Sequence, residues 1–131
     1  MRFMLIARAT KDSEAGAPPD PRLVAAIGKL AEELTRSGVM VGMGGLAPSS
    51  KGALLRLSGG KVTVTDGPFS EAKELIGGYA IAEVKSKEEA VELARRFLTI
   101  HAEILGPSYE AVSEVRQFFE PADCGPEGTR P

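Results

Sequence analysis

Two amphipathic helical segments, each flanked by short apolar runs, limit this sequence to a small number of folds. The first helix is predicted over residues 21–37, where Asp20 can cap its start and Gly38 can close it in a left-handed conformation. The second is predicted over 87–105, with Ser86 as its N-cap. In both segments apolar residues recur with the 3.6-residue period of a helix that buries one face.

The apolar runs around these helices predict strands, and glycines and prolines mark the connections between them. The segment 11–20 is predicted to be a loop, and the glycines that follow residue 41 indicate a bulge or the close approach of another backbone. A hairpin is predicted over 53–65, because Gly59-Gly60 allows a tight turn. Four further strands are expected near 2–9, 39–46, 77–85 and 109–119.

The element order is strand–helix–strand, hairpin, strand–helix–strand. This order predicts an α+β protein with a ferredoxin-like split βαβ arrangement and an inserted β-hairpin. Both helices would cover one face of an antiparallel sheet and leave its other face bare. Because a soluble protein rarely exposes a large apolar sheet face, we expect a two-fold homodimer that buries it.

Length and charge narrow the possible functions. The 131 residues fit a single domain, predicted over 1–120, followed by a flexible tail over 121–131 that contains the lone cysteine, Cys124. With 16 basic and 18 acidic residues the net charge is −2, which argues against direct binding to nucleic acid. The sequence contains no apolar run long enough for a membrane span or a signal peptide, so the cytoplasm is the expected compartment. No cofactor or metal site is expected.

The most distinctive polar segment surrounds Asp66. A carboxylate at the end of a strand could act as a general base or hold a ligand, and we expect Asp66 to be partly buried and hydrogen-bonded. Phe69 and Lys73 are candidate ligand contacts beside it. The structural alternative is a turn, in which Asp66 accepts from the following amides, Gly67 supplies a free φ angle, and Ser70 starts a short helix over 71–75.

His101 is the one histidine of the chain and lies on the second helix. It is the second candidate catalytic residue, because imidazole titrates near neutral pH and could meet Asp66 in a cleft, within the chain or across a dimer. The alternative is structural: His101 shares a helical face with Phe97 and Ile104, and such a histidine is commonly half-buried with its polar atoms satisfied.

The segment DGPFSEAKELIGGY at 66–79 resembles the signature of the DGPF proteins of the YCII-related family. Supporting segments span most of the chain: MRFM at 1–4, GVMV at 38–41, PSSKG at 48–52 and VRQFFE at 115–120. The resemblance implies a ferredoxin-like fold that assembles as a dimeric α/β-barrel. Related proteins carry a His–Asp pair with the histidine on the first helix, whereas residues 21–37 contain no histidine here.

Two functions follow as hypotheses. The first is a protein that binds a small molecule in a cleft near Asp66, with or without catalysis. The second is a non-enzymatic interaction or regulatory module associated with an extracytoplasmic-function sigma factor, because the resemblance implies that some relatives are encoded beside such factors. The residues alone do not identify a reaction.

Overall fold

The computed structural model of the protein describes residues 1–68 and 75–120. Within these residues it contains a four-stranded sheet, a separate two-stranded hairpin and three α-helices. In chain order the elements are β1 (Arg2–Arg8), α1 (Lys11–Glu14), α2 (Pro21–Arg36), β2 (Met40–Gly45), a 3-10 turn (Ser49–Lys51), β3 (Ala53–Ser58), β4 (Lys61–Asp66), β5 (Ile76–Glu83), α3 (Lys87–Leu105) and β6 (Ser113–Gln117).

The four-stranded sheet has the order β2-β5-β1-β6, and each neighbouring pair is antiparallel. The central strands β1 and β5 come from the two halves of the chain, so the strand–helix–strand units interleave in one sheet. The predicted α+β class and antiparallel sheet are confirmed, and the strand order is compatible with the ferredoxin-like fold.

The core lies between this sheet and the helices α2 and α3. Because side chains alternate along a strand, Phe3 and Leu5 of β1 point to the same side as their cross-strand partners Ala82 and Ala80. Small residues at the helix–sheet contact let α3 approach the sheet closely. The buried helical residues are Leu30, Leu34, Ala90 and Ala94, and Met40 and Val84 complete the buried cluster.

Local capping chemistry sets the predicted helix boundaries. The Asp20 carboxylate accepts from the Arg22 amide at 2.8 Å, and Gly38 after α2 has φ +80°. The Ser86 hydroxyl accepts from the Glu89 amide at 3.2 Å at the start of α3. None of the helices in residues 1–68 and 75–120 is long and apolar enough to cross a membrane.

Two predicted boundaries are wrong. The segment 11–20 is not all loop, because Thr10 and Ser13 cap each other's backbone amides and start the short helix α1. The last strand covers Ser113–Gln117 rather than 109–119. Residues 109–112 precede the strand, and the Tyr109 ring packs on a helix side chain instead of joining the ladder with β1.

The hairpin forms where it was predicted and ends one residue later. Its register runs from Ala53 opposite Asp66 to Ser58 opposite Lys61. Gly59 and Gly60 have φ values of +58° and +77°, as a two-residue turn between twisted strands requires. The hairpin forms a sheet of its own and does not extend the four-stranded sheet.

Two separate features of the structure explain the glycines of β2. The register shifts between Met40 and Gly42, which is the predicted bulge. A Cβ atom on Gly44 would lie 3.0 Å from the ring of Tyr79 on the neighbouring strand β5. Gly44 therefore leaves the space that this aromatic ring occupies.

Candidate functional site

A cleft of about 300 Å³ opens between the sheet and α3. Its wall is mainly apolar, with small residues on the strands that leave the space open. The apolar part of the wall includes Leu5, Ala7, Ala80, Ala94, Phe97 and Leu98. The polar lining residues include His101 on α3 and Tyr109 and Ser113 in the following segment, and the strand residues Arg8 and Tyr79 also belong to the lining. We call this space the His101 cleft.

The imidazole of His101 is fixed on one side by its own helix. Its Nδ1 lies 2.7 Å from the carbonyl oxygen of Phe97, one turn earlier. A carbonyl oxygen only accepts, so the proton of the neutral ring is on Nδ1 and Nε2 is left as a hydrogen-bond acceptor. Among the described residues, no other hydrogen bond to the ring is present. The Nδ1 atom of His101 is thus satisfied within the helix, as the structural interpretation expected. The Nε2 atom can form a hydrogen bond to a ligand.

Tyr109 stacks on His101. The two ring centroids are 5.7 Å apart and the ring planes differ by 16°. Burial raises the pKa of the Tyr109 phenol, and the nearby Asp12 carboxylate raises it further. The phenol therefore stays protonated at neutral pH and can donate a hydrogen bond.

The combination suits a small, largely apolar molecule. The lining offers the phenol of Tyr109 and the imidazole of His101 as hydrogen-bonding groups beside aliphatic and aromatic carbon. Sequence analysis selected His101 but missed Tyr109, because it placed residue 109 in a strand. The signal that was available is an aromatic residue just after Gly106-Pro107, where the chain turns back toward the helix carrying the lone histidine.

Asp66 lies elsewhere. It is the last residue of β4, opposite Ala53, and it is exposed rather than partly buried as predicted. It does not line the His101 cleft. Its carboxylate accepts no hydrogen bond from another residue of the described segments. One chain therefore does not bring Asp66 and His101 into the same cleft.

Gly67 has a different role from the one predicted. Its φ angle is not positive, so conformational freedom is not the reason for a glycine here. Its amide donates to the carbonyl of Gly52 at 3.0 Å, and a Cβ atom on it would lie 1.7 Å from the carbonyl oxygen of Ser49. The glycine allows the end of β4 to pack directly on the backbone of the 48–52 segment. Two separate motifs of the sequence meet at this contact.

Glu14 of α1 holds the other side of that segment. Its carboxylate accepts from the Ser49 amide at 2.6 Å and from the Ser49 hydroxyl at 2.5 Å. These hydrogen bonds lower the pKa of Glu14, the side-chain bond most strongly. The base of the hairpin is thus connected to α1 through Ser49 and Gly67. The sequence alone contains no signal for a hydrogen bond between Glu14 and Ser49, which are 35 positions apart.

The remaining predicted contacts and ligand types can be stated briefly. Phe69, Lys73 and most of the predicted helix 71–75 lie outside the described residues, as does the predicted tail 121–131. Within residues 1–68 and 75–120, no three His, Cys, Asp or Glu side chains are grouped so that they could hold a metal ion.

Comparison with known proteins gives the family. An uncharacterized protein of Rhizobium meliloti (strain 1021) is 32% identical over 76 residues, which cover 58% of this chain and 61% of that relative. The match thus spans about three fifths of the relative's length. The model of the YCII-related domain matches residues 1–106, from β1 through the end of α3 and including the His101 position. A match over most of the chain shows that this protein belongs to the YCII-related family.

Proposed function

We propose that the protein binds a small, largely apolar molecule in the His101 cleft. The observation that carries this proposal is the pairing of an apolar wall with two positioned polar groups, the imidazole of His101 and the hydroxyl of Tyr109. Ligand sites are typically apolar clefts of roughly 300–1,000 Å³ with a few placed polar groups. The volume of this cleft is at the small end of that range.

The ligand's polar groups follow from these two side chains. Nε2 of neutral His101 accepts, so the ligand carries an O–H or N–H group. The Tyr109 hydroxyl donates, so the ligand also carries an oxygen or nitrogen acceptor. Arg8 at the cleft edge is paired with Glu114, which reduces the attraction that its charge offers to an anionic ligand. We therefore favour neutral hydroxy- or amino-substituted hydrocarbons over strongly anionic molecules.

A thermal-shift screen of neutral aromatic and aliphatic alcohols, phenols and amides tests the proposal. A ligand present at 100 times its Kd stabilises the folded chain by about 2.7 kcal/mol. The variant Ala7→Leu fills the cleft from β1 and should abolish the shift. Ala102→Leu, which adds the same atoms at an exposed position on α3, is the matched control and should retain it.

The polar groups are tested separately with Tyr109→Phe and His101→Phe. Each removes one hydrogen-bonding group and should weaken binding of the compound found in the screen by about 1–3 kcal/mol, since the ligand's partner group is then buried unpaired. If both variants bind as tightly as the wild type, or if Ala7→Leu leaves the shift intact, the His101 cleft is not the site.

The proposal has two further parts, a homodimer and a contribution of Asp66 to ligand binding. We propose a two-fold homodimer through the sheet face that points away from α2 and α3. A role for Asp66 in binding requires that its carboxylate reaches the cleft of the second copy from beyond the edge of the buried sheet face, because in its own chain it is not part of the cleft wall. Asp66→Asn should then weaken ligand binding without lowering thermal stability. Equal affinity for the ligand would remove Asp66 from the site.

A regulatory role beside a sigma factor rests on the resemblance alone. No described feature indicates that particular partner. Whether the bound molecule is also converted is decided by incubating it with the protein and analysing the products.

A further inference from the structure

The β3–β4 hairpin has one apolar and one largely polar face. Residues that pair across the hairpin point to the same side, so the register divides its side chains into two sets. On one side lie Leu55, Leu57, Val62 and Val64, which we call the apolar hairpin face, with Ala53 and Asp66 at its base. On the other side lie Leu54, Arg56, Ser58, Lys61, Thr63 and Thr65. This alternation is typical of a strand pair with one buried side.

Yet the apolar hairpin face is open. Its four side chains are between 61% and 72% exposed. A two-stranded hairpin is marginally stable by itself, and contiguous exposed aliphatic side chains usually mark an interaction surface. The face therefore requires a partner that the described part of the chain does not supply.

The rest of the sequence is poorly suited to cover it. Residues 121–131 contain no Leu, Ile, Val, Met or aromatic residue. Residues 69–74 contain one large apolar residue, Phe69. Four aliphatic side chains need a broader apolar surface than these segments provide, which favours a second molecule as the cover.

The same chain has a second surface with the complementary form. Met4 and Ile6 of β1 alternate with the buried Phe3 and Leu5, and they face away from α2 and α3 beside their partners Ile81 and Tyr79. We call these four residues the outer sheet face. Ion pairs lie at its edges, between Arg2 and Glu83 and between Arg116 and Glu114. An apolar centre containing a tyrosine with a charged rim is typical of a protein–protein interface.

We propose that the apolar hairpin face of each chain packs on the outer sheet face of a second copy. A two-fold axis makes the exchange reciprocal, so one arrangement covers both surfaces in both chains. Burying one Leu or Val side chain removes on the order of 100 Å² of apolar surface from water. Four such side chains from each copy, together with the surfaces that cover them, amount to roughly 1,600 Å², the size of a standard specific interface. This inference rests on the proposed homodimer and assigns the hairpin as its arm.

Light scattering during size-exclusion chromatography tests the arm with two adjacent substitutions on β4. Val64→Lys places a charge on the apolar hairpin face, and Thr63→Lys places the same charge on the polar face. We expect the wild type and Thr63→Lys to have the mass of two chains, and Val64→Lys the mass of one. Because both positions are exposed, circular dichroism should show that both variants fold.

The outcomes separate this inference from the homodimer itself. A dimeric wild type whose Val64→Lys variant remains dimeric overturns the arm and leaves the homodimer standing. A wild type that is monomeric at tens of micromolar overturns both. Ligand binding in the His101 cleft, measured by thermal shift, is an independent result in either case.

Disulfide trapping identifies the surface on which the arm lies. In a Cys124→Ser background, Leu57→Cys combined with Ile6→Cys should give an oxidised two-chain species on a non-reducing gel. Leu57→Cys alone should stay a single chain. If Leu57→Cys alone forms the two-chain species, the hairpins meet each other and the outer sheet face is not their partner.

Discussion

The four-stranded sheet and the β3–β4 hairpin both carry large aliphatic side chains on their strands, yet they differ in what covers these side chains. In β1, Phe3 and Leu5 are 2% and 5% exposed beneath α2 and α3. In β3, Leu57 is 72% exposed, although it has the same residue type and strand context as Leu5. An apolar strand face therefore requires cover, and the path of the chain decides whether the molecule itself supplies it.

The two regions are also held in different ways. β1 and β5 lie in the middle of the sheet, so both of their edges are hydrogen-bonded to neighbouring strands. Within residues 1–68 and 75–120, the hairpin is held by its internal ladder and by contacts at its base, where the Gly67 amide donates to Gly52 and the Ser49 amide donates to Glu14. Packing stabilises the sheet throughout, whereas a few polar and backbone contacts fix the position of the hairpin.

The largest expected effect is on the free energy of unfolding when an apolar side chain of the sheet, rather than one of the hairpin, is truncated to alanine. Phe3→Ala should lower the free energy of unfolding by about 3–5 kcal/mol, because it leaves a cavity under the helices. Leu57→Ala should change it by less than about 0.5 kcal/mol in protein dilute enough to be monomeric, since its side chain is already in water. Urea denaturation followed by circular dichroism measures both. Equal losses would mean that the hairpin is covered within the chain.

A second prediction concerns the hairpin base. Gly67→Ala places a methyl group against the Ser49 carbonyl, so the backbone must shift, and we expect a loss of about 1–3 kcal/mol, as for other overpacked sites. Gly28→Ala in α2 is the control. No atom lies within 4 Å of its added Cβ, and alanine favours the helix, so stability should rise by up to about 1 kcal/mol. If Gly67→Ala is as stable as the wild type, the close contact at Ser49 is not required.

The smallest effect is a pH dependence at the same base. The pKa of Glu14 in the folded protein is lowered below its ordinary value of 4.5, so its contribution to stability is present above that value and is lost as the pH falls through the lowered pKa. Glu14→Gln should therefore be less stable than the wild type at pH 7, and the difference should shrink in acid. Thermal unfolding of both proteins from pH 7 to pH 3 measures it.

Ser49→Ala provides the control for that pH dependence. It removes the hydroxyl that donates to Glu14 and keeps the backbone amide. The difference between the Ser49→Ala and wild-type curves should also decrease in acid. A difference between wild type and Glu14→Gln that grows as the pH falls would contradict the assigned direction of the pKa shift.

Much of the fold could be predicted because its signals are local. Asp20, Gly38 and Ser86 act on backbone groups a few residues away, and the Gly59-Gly60 turn needs only its own φ angles. Where short-range signals compete, prediction failed. The segment 11–20 has the composition of a loop, yet the mutual caps of Thr10 and Ser13 start a helix in it. Similarly, the β-prone residues from 109 onward form a strand only from Ser113, while Tyr109 packs on His101.

The sequence by itself determined the α+β class, the order of the elements, the antiparallel hairpin and the family, because each depends on periodicity, capping or a contiguous motif. Only the tertiary structure decided which polar residues meet. It placed Tyr109 against His101, left Asp66 exposed outside their cleft, and showed that Gly67 is a point of close approach to Ser49. These contacts depend on the distances between segments far apart in the chain, and such distances are fixed only when the sheet and helices pack around a common core.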